Sequence, residues 1–254
     1  MFVGRMDRES TSEAAILTYH SLDSSGSVLS TPPSRFKEQM QWLSDRKMPV
    51  LPLAEAWKTP GSIALTFDDG YTNFLEAALP VLERHGFPST VFVPTGFLGG
   101  KNSWPGQMRG IPALDIMDRR QTREAFRRGA TIGAHGVTHA NLSQVGASKA
   151  EEELRRSKED LEQIIGDAVN LFGYPFGNPT RQVRDLASRY FQLACGTRLG
   201  YAEREDDPFD LPRLDTYYLR KLFWFQRMNA VTGKSYIRMR GWLRQGARCM
   251  RRQP

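Results

Sequence analysis

Short apolar runs alternate with helical periodicity along most of this chain of 254 residues. The runs cover 14–19, 62–67, 89–93, 130–134, 170–174 and 191–195, and each reads as a strand. Helical patterns lie between them. Ser34 is placed to cap a helix through Phe36, Met40 and Leu43. Leu75, Ala78, Leu79 and Leu82 recur at helical spacing until Gly86 stops them. Further helices are expected over 119–128, 148–165 and 180–190, the second with Leu154, Leu161 and Ile164 turned inward. Such alternation predicts an α/β protein with a parallel sheet. About seven units in one chain favour a single parallel (β/α) barrel over an open sheet. Residues 96–112 mix Gly, Pro, Asn and Trp without periodicity and read as a long loop over one face.

Composition narrows the class. Hydrophobic residues make up 40% of the chain, enough for a large core, so global disorder is excluded. The two cysteines, Cys195 and Cys249, stand far apart and imply neither a disulfide framework nor a thiolate zinc site. The first ten residues carry Arg5, Asp7, Arg8 and Glu9 rather than a signal-peptide apolar run, and no stretch reaches a membrane span, so a cytoplasmic location is expected.

The chemistry collects at strand ends. Asp68 and Asp69 follow the apolar run that ends at Phe67, and His135 and His139 follow another, four residues apart. His20, Asp68, Asp69, His135 and Tyr174 all fall just past predicted strands, at the rim where parallel barrels build sites. Two imidazoles and one carboxylate make a three-ligand metal site with an open position. Asp and Gly also end strands routinely, as plain turn residues. That bland reading leaves unexplained why two like charges stand side by side unless a cation lies near them.

The ordered set Thr66-Phe67-Asp68-Asp69-Gly70, His135-x3-His139 and Tyr174-Pro175-Phe176-Gly177 resembles the polysaccharide deacetylase pattern (NodB homology, carbohydrate esterase family 4) over about residues 14–215. The resemblance implies a distorted (β/α) barrel and metal-dependent removal of an N-acetyl group from an amino sugar of a glycan or its precursor. Carried over residue by residue, it implies that Asp69, His135 and His139 bind a divalent metal, most simply zinc. Asp68 would be the general base on the bound water, and the Phe176 N–H would steady the oxyanion, with Tyr174 and Pro175 beside the substrate. Alternative readings are a deformylase or amidase on another sugar amide, and a non-catalytic glycan-binding module.

Three departures stand out. Gly136 follows the first histidine, where family members often have Ser or Thr. Phe172 and Gly173 precede Tyr174, where they often carry an arginine. The late Leu-x-His motif that supplies the general acid is absent, since no histidine follows His139. His20, in Tyr19-His20, is the candidate acid. Its place resembles the circularly permuted branch related to biofilm exopolysaccharide deacetylases. An imidazole, titrating near ~6.5, suits proton donation near neutral pH. Arg213 is the candidate substitute for the lost arginine, holding Asp68; a surface ion pair is the competing view. His85, beside Gly86, reads as a helix-end residue.

The net charge of +7 comes from one end. No acidic residue follows Asp215, while ten Lys and Arg do, interleaved with Phe223, Trp224, Phe225, Tyr236 and Trp242. The boundary is therefore set between a barrel over 1–219 and a basic, aromatic, helical tail over 220–254. Such a tail can lie peripherally on an anionic membrane surface, at the inner face of the membrane for a cytoplasmic enzyme acting on a lipid-linked sugar. Binding to nucleic acid is the weaker alternative, and packing of the aromatics on the barrel the plain one.

Overall fold

In the computed structural model, which describes residues 12–250, seven parallel strands close into a barrel in chain order. They are β1 (Ala15–Tyr19), β2 (Ile63–Phe67), β3 (Thr90–Val93), β4 (Thr131–Ala134), β5 (Leu171–Gly173), β6 (Leu193–Leu199) and β7 (Leu211–Asp215). The first ten residues and the arginines at 251 and 252 lie outside the described residues, as do the side chains of Arg248 and Cys249. The helices are α1 (Pro33–Asp45), α2 (Leu53–Ala56), α3 (Leu79–His85), α4 (Arg119–Arg127), α5 (Ala147–Ile165), α6 (Arg181–Ala187), α7 (Leu222–Phe225) and α8 (Val231–Met250).

The strands bury both faces, as a parallel barrel requires. Alternate residues sort into two clusters. Ile16, Ala64, Phe92, Leu171, Leu193, Cys195 and Leu211 fill the interior, joined by Leu53, Ala56 and Trp57 of α2 and the loop after it. Leu17, Leu65, Val91 and Val93 belong to the outer cluster with α1, α3 and α5. The interior is thus a packed core rather than a pore. Burial there pushes the Cys195 thiol up to about 12, which leaves it an inert hydrophobe.

Several expectations need correction. Ser34 is not the N-cap of α1: the helix begins at Pro33, with Pro32 as cap and no side-chain cap bond. Proline suits the first helical position because its missing N–H would be unpaired there. α6 ends at Ala187, three residues early, and β6 runs over 193–199 instead of 191–195. β7 was not expected as a strand at all. Pro212 sits where the β6–β7 register slips between the pairs Cys195↔Leu211 and Leu199↔Arg213, which is where a strand tolerates a residue without an N–H. β7 then pairs with β1 through Leu17↔Leu214 and Thr18↔Asp215, closing the barrel.

The tail does not stand apart from the barrel. Phe225, Met228 and Ile237 are fully buried in the outer cluster, and Trp224 stacks on Tyr236 at 4.1 Å. Lys234 and Arg238 both reach Glu13, at 2.7 and 2.8 Å. No helix among the described residues is long and apolar enough to cross a membrane.

Candidate active site

At the C-terminal ends of the strands lies a cavity of about 480 Å³. Its lining includes His20, Asp68, Asp69, His135, His139, Tyr174, Phe176 and Arg213, so all but one of the residues singled out from the sequence meet there. Pro175 is the exception and is not on the lining. These residues come from five strands, β1, β2, β4, β5 and β7, as barrel sites are assembled.

Asp69, His135 and His139 form one buried group whose ligand atoms lie within 4.8 Å of one another. Asp69 Oδ1 is 3.3 Å from His135 Nε2 and 3.2 Å from His139 Nε2. His135 Nδ1 lies 2.7 Å from the Gly173 carbonyl, which can only accept, so the ring carries its proton on Nδ1 and turns Nε2 inward. Burial lowers the His139 pKa and favours the neutral ring. Burial alone would raise the Asp69 carboxyl, yet the two histidines hold it well below the usual carboxylate range. Two neutral imidazoles and a carboxylate would point lone pairs at each other in this arrangement. A divalent cation among them removes the conflict, and the donor set suits zinc. The residues fit a metal.

Asp68 faces the same cavity but is held differently. Arg213 Nη1 and Nη2 each donate to one of its oxygens at 2.7 Å. Arg213 itself is buried, and its Nε–H donates to the Gly196 carbonyl at 2.9 Å. Burial raises the Asp68 carboxyl, but the Arg213 charge and hydrogen bonds outweigh it and keep the carboxylate ionised. His20 Nε2 stands 3.9 Å from Asp68 Oδ2 and is half-buried at the cavity wall. The absent arginine of β5 has a steric reason. A Cβ at Gly173 would lie 2.9 Å from the Phe92 ring and 3.1 Å from His135 Nδ1.

Tyr174, Pro175, Phe176 and Gly177 form a turn closed by the Gly177 N–H on the Tyr174 carbonyl at 3.0 Å. Proline at its second position and a positive φ of 60° at Phe176 describe a type II turn, which ordinarily places glycine there. The Phe176 ring meets His139 edge-on at 5.0 Å. The Tyr174 hydroxyl is buried on the cavity wall without a hydrogen-bond partner among the described residues. His85 closes the last turn of α3 and stacks on Phe87, away from the cavity.

Two features had no signal in the sequence. Glu153 of α5 is fully buried, and its Oε2 accepts from the backbone N–H groups of Val137 and Thr138 at 2.7 and 2.8 Å. It braces the hairpin between the two histidines. Gly136 leaves room for it, since a Cβ there would lie 3.0 Å from Glu153 Oε2. Trp104, on the long loop, stacks on His139 at 4.0 Å. Asn102 fixes that loop by bonding the Pro112 carbonyl and the Leu114 N–H.

The polysaccharide deacetylase family profile matches residues 57–191, more than half of the chain. The protein belongs to the polysaccharide deacetylase family. Among the relatives of this deacetylase is YxkH of Bacillus subtilis (strain 168), itself a polysaccharide deacetylase homologue. It is 27% identical over 215 residues, covering 81% of this chain and 72% of the relative. The poly-beta-1,6-N-acetyl-D-glucosamine N-deacetylase of Staphylococcus aureus is 26% identical over 160 residues, 57% of this chain. The chain spans about half the length of that relative, 52%. The crystal structure of BC0361, a polysaccharide deacetylase from Bacillus cereus, superposes with a TM-score of 0.66 at 25% identity, covering 80% of this chain and 64% of that one. IcaB from Ammonifex degensii shares the fold, with a TM-score of 0.70 at 22% identity over 85% of this chain and 98% of that one.

Proposed function

We propose that this deacetylase hydrolyses the N-acetyl amide of an amino sugar within a glycan or glycan precursor, with Asp69, His135 and His139 holding a divalent metal, most simply zinc. The single observation that carries the reading is the pairing of that buried donor triad with a second carboxylate, Asp68, kept off the triad by Arg213. A bound metal would polarise the amide carbonyl and acidify water.

The chain's own residues supply the rest. Asp68, ionised, takes the proton from the attacking water as its oxygen bonds the carbonyl carbon. The Phe176 N–H, which makes no hydrogen bond among the described residues, stabilises the oxyanion. His20 gives a proton to the sugar nitrogen as the C–N bond breaks, leaving acetate and the free amine. Arg213 is a positioning residue, holding Asp68 in one orientation. Trp104, Phe176 and Tyr174 shape the wall against which the sugar lies.

The test is acetate release from a panel of N-acetylated sugars, free and lipid-linked, by zinc-loaded protein and by an Asp68→Asn variant. Turnover of at least one sugar by the wild type, and a variant that binds zinc without turnover, are expected. No acetate from any sugar would sink the reading, and full activity of Asp68→Asn would remove the base.

A further inference from the structure

Nine large hydrophobic side chains are exposed among the described residues, and none is scattered. Val28, Met108, Phe176 and Tyr217 line the cavity mouth. Phe223, Val231, Met239, Trp242 and Leu243 belong to α7 and α8. Trp242 is the most exposed, at 75%.

α8 buries Ile237, with Gly233 and Gly241 on the same side, yet keeps a second apolar face in solvent. Three of its described cations reach toward the barrel, Lys234 to Glu13, Arg244 to Asp215 at 3.6 Å and Arg240 over the Tyr218 ring at 4.9 Å, while Arg238 pairs with Glu13 from an exposed position. Gly233 and Gly241 allow close approach, since a Cβ at either would run into the carbonyl of Arg227 or Leu199. The outward side carries Val231, Met239, Trp242 and Leu243, with Thr232, Ser235, Arg238 and Gln245 beside them. A helix face exposed only to water is ordinarily polar. Arg244 also lines the cavity, so α8 reaches the cavity mouth.

Charge selects the occupant. Lys221, Arg227 and Arg238 are exposed around the apolar face, and no acidic residue follows Asp215 in the sequence. Apolar and aromatic side chains in a ring of cations fit the headgroup boundary of an anionic bilayer. Nucleic acid would call for outward cations without the apolar centre, and here most α8 cations are spent on the barrel. We propose that the outer face of α7 and α8, with the cavity mouth beside it, docks on an anionic phospholipid surface. The docking stands on this surface alone. Its consequence, that the enzyme works on substrate held at a membrane, rests on the catalytic reading above.

The experiment is flotation of the full chain with vesicles of phosphatidylcholine alone or with phosphatidylglycerol added, comparing wild type with Trp242→Ser and, separately, Met239→Ser. Both positions are solvent-exposed, and neither touches the triad, so unchanged thermal midpoints check that the variants fold. Wild type is expected to float with the phosphatidylglycerol vesicles, and each variant to partition roughly tenfold less, the scale of losing one buried apolar anchor. Equal flotation of wild type and both variants, or none of the wild type, overturns the proposal. So does a concentration-dependent dimer that Trp242→Ser abolishes, which would make a second copy the occupant. Because flotation needs no turnover, failure of the catalytic reading leaves this result standing, and the reverse.

Discussion

Glu153 offers the sharpest test of how the histidine hairpin is held. Its carboxylate accepts two backbone N–H bonds and, at 2.7 Å, the Thr138 hydroxyl, all from the residues between His135 and His139. Lys149, one turn earlier on α5, lies 3.5 Å from Oε1. Glu153→Ala leaves the part-buried N–H groups of Val137 and Thr138 without this acceptor. A fully buried donor left unpaired costs ~1–3 kcal/mol, and with both partly reached by water the loss of stability is about 2–4 kcal/mol. Glu153→Gln keeps the shape and one acceptor oxygen but turns charge-assisted bonds into neutral ones, so it costs less, roughly 1–3 kcal/mol. The second effect is on the ligands. Freed from its brace, the hairpin no longer presents both Nε2 atoms to Asp69, and removing such an outer partner costs about 10–100-fold in metal affinity. Urea unfolding of the metal-free protein measures the first effect, and zinc competition against a chromophoric chelator the second. The order wild type, Gln, Ala is expected in both. A folded Glu153→Ala with wild-type zinc affinity would refute the positioning role and leave Glu153 merely structural.

Arg213→Lys keeps a positive charge but loses the two-pronged grip on Asp68, so turnover should fall on the order of a hundredfold while zinc affinity holds; unchanged turnover would break the link between the two residues. Zinc at about a hundred times its dissociation constant should raise the thermal midpoint by about 5–10 °C, and Asp69→Ala should abolish the shift; a shift that survives the variant would place the metal elsewhere. Burial and the neighbouring Asp207 and Asp206 push the Asp210 carboxyl up from its ordinary 3.8 to about 6, against the pull of Arg198 and Arg184. Its folded pKa is the higher one, so its contribution to stability is present below 3.8 and is lost as the pH climbs to about 6. Asp210→Asn should therefore flatten the stability profile across that window, and identical profiles would contradict the assignment.

The barrel was legible because its strands are continuous apolar runs, whose burial on both faces needs no help from neighbours to be recognised. β7 was not, because Leu211-Pro212-Arg213-Leu214-Asp215 contains a proline and two charges. Those three residues make sense only in the closed barrel, with Pro212 at the register slip and Arg213 buried against Asp68. β6 was shifted for a similar reason: Thr197 and Arg198 are polar because they serve the cavity wall and Asp206. In the site, Asp68, Asp69, His135 and His139 carry their meaning in local spacing. Glu153 looks like one more charge on an amphipathic helix that is otherwise solvated, and Trp104 like one residue of an aperiodic loop. Only the folded chain shows that each touches the histidine hairpin.

The backbone explains why those local spacings are tight. Among the described residues, five non-glycine residues have positive φ, and Asp69 (71°), His139 (54°) and Phe176 (60°) are three of them. Such conformations cost ~1–3 kcal/mol each and persist where the surroundings over-determine them. Here the surroundings can be named. The Gly70 carbonyl accepts from the Met117 N–H at 2.9 Å, Glu153 holds the hairpin before His139, and the Tyr174 carbonyl closes the turn at Phe176. Two of the strained residues are followed by glycines that are also left-handed, Gly70 at 62° and Gly177 at 67°. Neither has room for a side chain: a Cβ would lie 3.1 Å from Val93 Cγ1 at the first and 2.1 Å from Thr197 Oγ1 at the second. Each strand is thus made to reverse sharply at its end, which swings the functional group into the cavity instead of along the strand. The geometry of Asp69, His139 and the Phe176 N–H is therefore set by main-chain turns before any ligand arrives. That is the form of preorganisation expected of a site that stabilises a developing charge rather than one that closes around its ligand.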